Sequence, residues 1–330
     1  MRIAYVGNRT NLASDGKSFN TEAHIALSLE KLGHKVNFIQ ENEIEQNPGT
    51  SSNLIERVGD ADLFLWTRTW KPSDNTGYVA YDDLLALKEK GILTVSFHLD
   101  KYAGIERDGG MATDTFWKTD YVFSPEGSVQ SDAIFKSHGI NQRYLPPGIY
   151  EGDCYETEPV EHFKHDVVFV GGGEDYMHPE WPYRAKLVRW LKETYGERFG
   201  KYGHPERTVR GHELNQLYSS SKVVIGDSLC KDFFDSFYYS DRMFEVTGRN
   251  GMLISPYIPG TTDHFIDRKE IVLYAFDNWA QLKFMIDYYL EHDDEREAIR
   301  KAGHERTKTE NTYTNRMAEM LDVLSKEGAL

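Results

Sequence analysis

Short apolar runs alternate with amphipathic stretches along the chain. The first run, at residues 2–6, precedes a segment with apolar positions at helical spacing, 21–32, and then a second run at 35–39. Such a triplet predicts a strand, a helix and a parallel strand. The same pattern predicts further strands at 61–66, 92–97, 121–124 and 143–146 and helices at 81–90 and 129–137. Strands that alternate with helices indicate an α/β fold with a parallel, doubly wound sheet.

A second series of strands and helices begins near residue 165. Between the two series, residues 151–164 are rich in acidic side chains and lack apolar periodicity, which is typical of a linker. The second series comprises strands at 165–170, 199–203, 222–228, 252–254 and 270–274 and helices at 182–195, 210–218, 278–292, 294–302 and 312–325. We therefore predict a first domain over 1–150, a linker over 151–164 and a second domain over 165–310.

Composition narrows the classes of partner. The 330 residues carry a net charge of −15, and both halves are acidic. Proteins that bind nucleic acids or anionic membranes usually carry an excess of basic residues. Binding of either kind by this chain would therefore require a local basic groove. Cys154 and Cys230 support neither a disulfide framework nor a zinc site and suit a reducing compartment. With the first strand starting at Arg2 and no apolar run of membrane-spanning length, we expect a cytoplasmic protein.

Polar residues at strand ends supply the candidate chemistry of the first domain. Gly7 and Asn8 end the first strand without the full G-x-G-x-x-G fingerprint, so an NAD site of the usual kind is not expected. His98 and Asp100 follow the fourth strand, and either can accept a proton from an acceptor hydroxyl. The alternative is that His98 packs on the sheet edge and Asp100 caps the next turn.

The second domain offers a candidate phosphate site. Gly171, Gly172 and Gly173 follow its first strand, and a glycine-rich turn that leads into a helix lets backbone amides approach phosphates closely. Arg184 lies at the start of that helix, and Asp227 lies at the polar end of a later strand that faces the same side. Alone, the three glycines are equally compatible with a tight turn.

The segment 239–255 carries a short helix followed by a buried strand. Ser240 is suited to cap this helix, and Gly248 or Gly251 to provide its left-handed exit. Arg242 and Glu245 lie three residues apart and share one helix face, which suits a ligand carrying both phosphates and ribose hydroxyls. The alternative is an ordinary surface ion pair between the two side chains.

Several motifs of the second half occur in an order that resembles a known family. The motifs are the glycine-rich turn, Arg184, the segment 211–214, the segment 240–245 and the tail 288–296. They resemble the CgeB-like (spore maturation protein) group of GT-B glycosyltransferases, which includes relatives from phages and actinobacteria. The resemblance covers residues 167–321 and is only architectural over the first half. It implies two facing Rossmann-like domains, with the C-terminal helix, 311–330, returning to the first domain, and the host cytoplasm as the location if the protein is phage-encoded.

The resemblance also implies roles for individual residues. Glu245 would bind the ribose hydroxyls of a nucleotide-diphosphate sugar. Arg242, the helix amides near Asp241 and Arg184 would hold the diphosphate. The donor base would be flanked by Tyr202 and by the segment from His212 to Leu214. Gly7 and Asn8 would approach the donor from the first domain, and Asp100 or His98 would face the acceptor. No permanently bound cofactor is expected.

One departure from the family pattern concerns stereochemistry. The retaining members carry an E-x7-E pair whose second glutamate matches Glu245, but its first falls at Phe237, which cannot act as a carboxylate, and Asp235 is two positions away. An inverting mechanism, which needs one base and a stabilised leaving diphosphate, is therefore favoured; Asp100 and Arg242 could provide these.

A metal is not expected. Asp60 and Asp62 form a D-x-D triplet, but this triplet precedes a buried strand instead of following one, which favours a simple boundary between loop and strand. GT-B enzymes generally do not need a D-x-D metal, so the resemblance agrees with this interpretation.

Four functions remain open at this stage. The first is a glycosyltransferase acting on a glycan, a small molecule or a protein. The second is a phage-type DNA glycosyltransferase acting on hydroxymethylated bases, for which the basic residues Arg9, Lys17, Arg68, Lys71, Lys101 and Arg107 would supply phosphate contacts. The third is a nucleotide-sugar 2-epimerase, and the fourth is a non-catalytic nucleotide-sugar-binding protein.

Overall fold

The protein consists of two compact α/β units. The computed structural model describes residues 1–8, 20–44, 53–68, 79–103, 110–172, 182–228 and 237–330. Unit 1 comprises Met1–Pro146 together with Tyr313–Leu330, and unit 2 comprises Pro147–Thr312. Each unit has its own parallel sheet, as the alternating pattern predicted.

Unit 1 is built on a parallel sheet with the strand order β2-β1-β3-β4-β5-β6. Its strands are β1 Arg2–Gly7, β2 Lys35–Gln40, β3 Leu63–Arg68, β4 Leu93–His98, β5 Tyr121–Ser124 and β6 Gln142–Tyr144. Its helices are α1 Thr21–Lys31, α2 Leu54–Val58, α3 Tyr81–Glu89, α4 Gly110–Thr113, α5 Val129–Ser137 and, at the end of the chain, α11 Tyr313–Lys326. Strands β1 and β3 are buried along almost their whole length, which explains why they read as continuous apolar runs.

Helix α11 completes one face of the unit 1 sheet. Its apolar residues Tyr313, Met317, Met320 and Leu324 recur every three or four positions and lie in a buried cluster with Ile25 and other residues of α1 and the sheet. At the outer end of the same region, Arg143 donates to both carboxylate oxygens of Glu327 at 2.7 Å. The last helix is therefore part of the core of unit 1.

Unit 2 contains a second parallel sheet with the order β11-β10-β9-β7-β8. Its strands are β7 Val167–Val170, β8 Phe199–Tyr202, β9 Val223–Ile225, β10 Leu253–Pro256 and β11 Val272–Tyr274. Its helices are α6 Pro182–Tyr195, α7 His212–Ser220, α8 Arg242–Gly248, α9 Trp279–Glu291 and α10 Asp293–Glu310. Helix α10 extends well beyond the predicted segment 294–302 because charged residues continue its outer face while Ile299, Gly303 and Thr307 face inward.

The acidic segment 151–164 packs on unit 2. The backbone N–H groups of Thr157 and Val160 donate to the hydroxyls of Ser219 and Ser220 at 3.1 and 2.8 Å. The buried amide of Asn215 in α7 donates to the carbonyls of Asp153 and Tyr155, both at 2.8 Å. The segment predicted as a linker is therefore held by hydrogen bonds to α7.

Close packing against α10 fixes the position of α8. A Cβ atom on Gly248 of α8 would lie 3.2 Å from Thr307 of α10, and one on Gly303 of α10 would lie 3.5 Å from Thr247 of α8 and collide with the carbonyl oxygen of Glu270. The hydroxyls of Thr247 and Thr307 meet at 2.7 Å within this contact. Small residues thus allow the two helices to approach closely, and α8 has little freedom to shift.

The exit from α8 differs from the prediction. Gly248 is the last helical residue, and neither it nor Gly251 has a positive φ. Asn250 instead takes the left-handed conformation, with φ 62°. Asparagine tolerates this conformation better than most residues, and the glycines are required for close packing instead.

Candidate functional site

The most strongly organised polar group in unit 2 surrounds Asp227. This residue follows β9, and its buried carboxylate accepts a hydrogen bond from Arg184 Nε at 2.7 Å and another from Arg242 Nη1. Burial alone would raise the pKa of Asp227, but the guanidinium groups of Arg184 and Arg242 outweigh it and hold the pKa below its ordinary value. The three residues form a charged cluster at the carboxyl ends of β7 and β9, the edge where parallel sheets bind ligands.

Arg242 is held in place on two sides and open on a third. Its Nε donates to the carbonyl oxygen of Val170 at 2.9 Å, and its guanidinium lies over the ring of Phe169 at 5.3 Å from the centroid. Its Nη2 makes no hydrogen bond to any residue that the structure describes. Arg242 also forms no ion pair with Glu245, so the interpretation of these two residues as a surface pair is wrong.

Gly171 lies next to Arg242 Nη2. A Cβ atom at Gly171 would sit 2.9 Å from Arg242 Nη2, and the residue has a positive φ of 156°. Its N–H donates to the carbonyl of Tyr202 at 2.8 Å, which ties the end of β7 to that of β8. The absence of a side chain at Gly171 therefore leaves room for the Arg242 guanidinium at the end of β7. Gly172 follows in the described chain, whereas Gly173 lies outside it.

Glu245 carries a carboxylate that none of the described residues satisfies. In the described part of the chain it accepts no hydrogen bond and forms no ion pair, although it is only partly exposed. Burial and the nearby Asp241 raise its pKa, while Arg249, Arg210 and Arg242 act in the opposite direction. An acceptor group in partial burial without a partner is suited to receive hydroxyl donors from a ligand.

Ser240 and Asp241 shape the start of α8. The Ser240 hydroxyl accepts from the Arg242 N–H at 3.3 Å and lies 3.2 Å from Asp241 Oδ1. The helix begins at Arg242 with Asp241 as the residue before it, and the Asp241 side chain makes no capping hydrogen bond. Ser240 therefore satisfies one N–H group of the first turn, and Asp241 contributes negative charge beside Glu245.

The three residues predicted to flank a base have different surroundings. The Tyr202 hydroxyl lies 2.9 Å from His165 Nε2, and the Tyr155 hydroxyl lies 3.0 Å from Nδ1 of the exposed His212. Leu214 is only 1% exposed and belongs to the core of unit 2. Its side chain therefore contributes packing, which contradicts direct contact between that side chain and a ligand.

Two arginines near Glu245 had no marker in the sequence. Arg210 is exposed, and its one hydrogen bond among the described residues goes to the Val209 carbonyl at 3.4 Å. Arg249 is buried and binds the Asp153 carboxylate at 2.5 Å and the side-chain oxygen of Asn215. Arg249 thus joins the end of α8 to α7, whereas Arg210 offers an uncommitted guanidinium. Both arginines lie far along the chain from Arg184 and Asp227, so no pattern in the sequence indicates that they group near Glu245.

In unit 1, the structure buries His98. The imidazole is 2% exposed and lies between the rings of Tyr102, Phe116 and Trp117, with centroid distances of 5.2 to 5.9 Å. Its Nδ1 lies 2.7 Å from the carbonyl oxygen of Asp100. These contacts favour the packing interpretation of His98 over that of a base in contact with an acceptor.

Asp100, Gly7 and Asn8 remain at the carboxyl edge of the unit 1 sheet. The Asp100 carboxylate is partly exposed and accepts from the Lys101 N–H at 2.8 Å. Asn8 Oδ1 accepts from Gln40 Nε2 at 3.1 Å, so the turn after β1 is tied to the end of β2. Among the predicted bases, Asp100 is the more accessible.

Two of the basic residues considered for DNA binding lie in the described chain, and both are buried in ion pairs. Arg68 is 4% exposed and paired with Asp114, and Lys101 is buried with Glu126 at 3.5 Å. Arg9, Lys17, Lys71 and Arg107 lie outside the described residues. The described part of unit 1 therefore provides no phosphate contact from this set.

The D-x-D triplet has a structural role. Asp60 and Asp62 both pair with Arg2, the latter at 2.9 Å, on the side where β1 and β3 begin. Within the described residues no group of three or more His, Cys, Asp or Glu side chains is placed to hold a metal ion. The described chain also has no helix with both the length and the hydropathy that crossing a bilayer requires.

Comparisons with known proteins agree with this architecture. Residues 184–322 match a protein family described as glycosyl transferase-like. No curated protein matches the chain significantly. An alpha-glucosyltransferase solved with UDP-glucose and DNA containing an abasic site is 11% identical, with a TM-score of 0.70 over 98% of this chain and 99% of that one.

Two further solved structures have the same fold. A glycosyltransferase from Rickettsia africae is 12% identical, with a TM-score of 0.62 over 98% of both chains. HepE from Anabaena, solved with UDP-glucose, is 12% identical, with a TM-score of 0.58 over 99% of this chain and 100% of that one. The chain thus has the two-unit α/β fold of GT-B glycosyltransferases, and its residues 184–322 match the glycosyl transferase-like family.

Proposed function

We propose that the protein is a glycosyltransferase that moves a sugar from a nucleotide-diphosphate sugar to a hydroxyl acceptor. The observation that carries this proposal is that α8 holds both the Glu245 carboxylate and Arg242 Nη2, neither of which has a hydrogen-bond partner among the described residues, at the carboxyl edge of the unit 2 sheet. Both residues lie inside the segment that matches the glycosyl transferase-like family. The solved HepE and alpha-glucosyltransferase structures contain UDP-glucose, which supports a donor of this class.

Each residue then has a defined task. Glu245 accepts hydrogen bonds from the ribose hydroxyls, and Arg242 Nη2, which lies beside the side-chain-free Gly171, binds the diphosphate. Because Asp227 and the Val170 carbonyl already fix the Arg242 guanidinium, little side-chain entropy is lost on binding. The same guanidinium stabilises the negative charge that develops on the departing diphosphate.

We further propose an inverting reaction with Asp100 as the proton acceptor. The position that would carry the first glutamate of a retaining pair is Phe237, a residue with φ 62° whose N–H donates to the Pro259 carbonyl at 2.8 Å. In an inverting step the acceptor oxygen forms a bond to the anomeric carbon, the bond from that carbon to the diphosphate breaks, and the hydroxyl proton passes to Asp100.

Release of nucleoside diphosphate from a panel of nucleotide sugars, with and without sugar and polyol acceptors, tests this proposal. Wild-type protein should release diphosphate faster when an acceptor is present. Asp100→Asn should lose most of this turnover while keeping its affinity for the donor, and the exposed Glu310→Gln on α10 should behave as wild type. An epimerised sugar nucleotide formed from the donor alone would instead support a 2-epimerase, and no turnover with bound donor would support a binding protein.

A second candidate function is glycosylation of modified DNA. It is favoured by one observation, the similarity to the alpha-glucosyltransferase that was solved with UDP-glucose and DNA. Duplexes with and without hydroxymethylated bases, titrated at low and high salt, distinguish this candidate. Turnover that requires the hydroxymethylated duplex, with binding that weakens steeply as salt rises, would support it over a sugar or protein acceptor.

A further inference from the structure

A buried guanidinium in unit 1 has two unused donors. Arg68 ends β3 and is 4% exposed; its Nη2 binds the Asp114 carboxylate, and its Cζ lies 4.5 Å from the centroid of the Phe116 ring. Its Nε and Nη1 atoms are buried and have no hydrogen-bond partner among the described residues. Because an unpaired buried N–H group costs free energy, these positions call for atoms from water or from a ligand.

A buried acceptor atom without a partner in the described chain lies at the same edge of the sheet, two strands away. Glu41 follows β2, and its Oε1 is buried with no partner in the described chain. Burial raises the pKa of Glu41 to about 7, with Arg68 lowering and Glu22 raising it. Burial likewise raises the pKa of Glu22 to about 7. Arg68 and Glu22 are the charged groups that face Glu41, yet neither lies within ion-pair or hydrogen-bond distance of it.

These residues surround one point of the sheet. Gly7 at the end of β1 pairs in register with Gln40, the residue before Glu41, and Val6 pairs with Trp66, two residues before Arg68. The Glu22 side chain lies 3.1 Å from the place where a Cβ of Gly7 would be. In the sheet, β1 lies between β2 and β3. The chain passes from β1 to β2 on one side and then crosses to β3 on the other side, and α/β sheets bind ligands at such a switch point.

Charge at this point disfavours an anion. Asp114 already neutralises Arg68, and Glu22 and Glu41 would oppose a further negative group. The Nε and Nη1 hydrogens lie on different edges of the guanidinium, so one carboxylate cannot accept from both as it does from a guanidinium fork. Separate hydroxyl oxygens can, and a hydroxyl can also donate to Glu41 Oε1.

We propose that the Arg68–Glu41 switch point in unit 1 binds a neutral polyhydroxyl ligand, with Arg68 Nε and Nη1 donating to ligand hydroxyl oxygens and Glu41 Oε1 accepting from a ligand hydroxyl. That this ligand is the acceptor of the transfer reaction rests on the proposed function. That the site binds a polyhydroxyl ligand is argued from its residues alone. A sugar or sugar-like alcohol is the class of acceptor that it selects.

Calorimetric titration of the full chain at pH 7 with methyl glycosides of glucose and galactose, glycerol and inorganic phosphate tests this site. Each titration is run in two buffers with different ionisation enthalpies, because a hydroxyl that donates to Glu41 favours its ionised form and releases a proton. With a carboxyl whose pKa is about 7, up to about half a proton should leave per bound ligand. An anion bound at Arg68 would instead cause proton uptake.

The expected result is binding of at least one glycoside or glycerol at millimolar concentration with proton release. Glu41→Gln should abolish the release and weaken binding about tenfold or more, Arg68→Lys should weaken binding similarly, and the exposed Glu327→Gln should change neither. Absence of polyol binding up to about 100 mM, equal binding by Glu41→Gln, or binding of phosphate with proton uptake would each overturn the proposal. If a nucleoside diphosphate binds in a parallel titration while no polyol does, only this inference fails. If a polyol binds while no nucleoside diphosphate does, the polyol site is supported and the proposed function fails.

Discussion

At the scale of single residues, the same carboxylate chemistry serves two purposes in unit 2. Asp227 is buried and fully committed to Arg184 and Arg242, whereas Glu245 is partly exposed and uncommitted. Asp227 positions the Arg242 guanidinium, and Glu245 is available to a ligand. This difference comes from partners that lie far apart in the chain and meet only at the edge of the sheet.

Asp227→Asn should strongly destabilise the protein. The substitution removes the negative charge that two largely buried guanidinium groups share, which costs about 3–5 kcal/mol of unfolding free energy. Asp166→Asn is the matched control, because Asp166 also pairs with two cations, Arg198 and Lys222. Both cations are exposed and Asp166 is partly exposed, so these pairs should contribute less than about 1 kcal/mol. Urea unfolding measures both, and equal losses would contradict the role of burial.

Glu126 should make stability depend on pH. Its buried carboxyl accepts from the N–H groups of Tyr102 and Ala103 at 3.0 Å, and burial, against the opposing effect of Lys101, raises its pKa to about 7. The unfolded pKa is about 4.3, so between these values the folded state binds more protons and the free energy of unfolding falls as pH rises.

Glu126→Gln should remove this contribution. Between pH 4.5 and pH 7 the wild type should lose on the order of 2 kcal/mol more than the variant. Thermal unfolding at several pH values measures the difference, and Glu89→Gln, at an exposed position of α3, should keep the slope of the wild type. Parallel curves for wild type and Glu126→Gln would contradict a raised pKa.

At the scale of elements, the packing of α10 on α8 places the donor residues. Helix α8 has only seven residues and gains its position from contacts of Thr247 and Gly248 with Thr307, and α10 itself passes close to the chain at Glu270 through Gly303. Because Arg242 and Glu245 lie on α8, a displacement of α10 is expected to reach the donor site.

Gly303→Ala tests this connection. Alanine normally stabilises a helix interior by about 1 kcal/mol relative to glycine, but here its Cβ would collide with the Glu270 carbonyl oxygen. We expect a net loss of about 1–3 kcal/mol of stability and weaker binding of nucleoside diphosphate. Lys301→Ala, at an exposed position of the same helix, should change neither quantity appreciably. A stabilised Gly303→Ala protein with normal binding would show that α8 is not held this way.

The elements themselves were largely readable from the sequence. Helix Val129–Ser137 and strand Tyr121–Ser124 fall at the predicted positions because their apolar residues are bounded by clear turn signals. Side-chain partnerships were less accessible. The pairing of Arg242 with Asp227 and the burial of Arg68 arise from strand order, and a local pattern carries no information about which strand ends become neighbours.

At the scale of the whole molecule, the chain forms two units with separate cores. The last helix, α11, belongs to unit 1, and residues such as Met317 and Met320 are fully buried there. The proposed donor residues belong to unit 2. Stability of one unit and donor binding by the other are therefore expected to respond to different substitutions.

Met317→Ala tests whether the stability of unit 1 and donor binding by unit 2 respond separately. Loss of a buried methionine side chain should destabilise unit 1 by about 2–5 kcal/mol. Affinity for nucleoside diphosphate, measured well below the melting temperature, should stay within about twofold of wild type. Ser325→Ala, at an exposed position of the same helix, is the control and should change neither quantity appreciably. Simultaneous loss of donor binding in Met317→Ala would contradict a donor site built from unit 2 residues.

Calorimetric titration with the diphosphates of uridine, adenosine, guanosine, cytidine and thymidine tests the central claim most directly. The account predicts that at least one binds the wild type, that Glu245→Gln weakens this binding by about 10- to 100-fold through loss of charged hydrogen bonds to the ribose, and that Glu310→Gln leaves it unchanged. Binding of no nucleoside diphosphate, or equal affinity in wild type and Glu245→Gln, would contradict it.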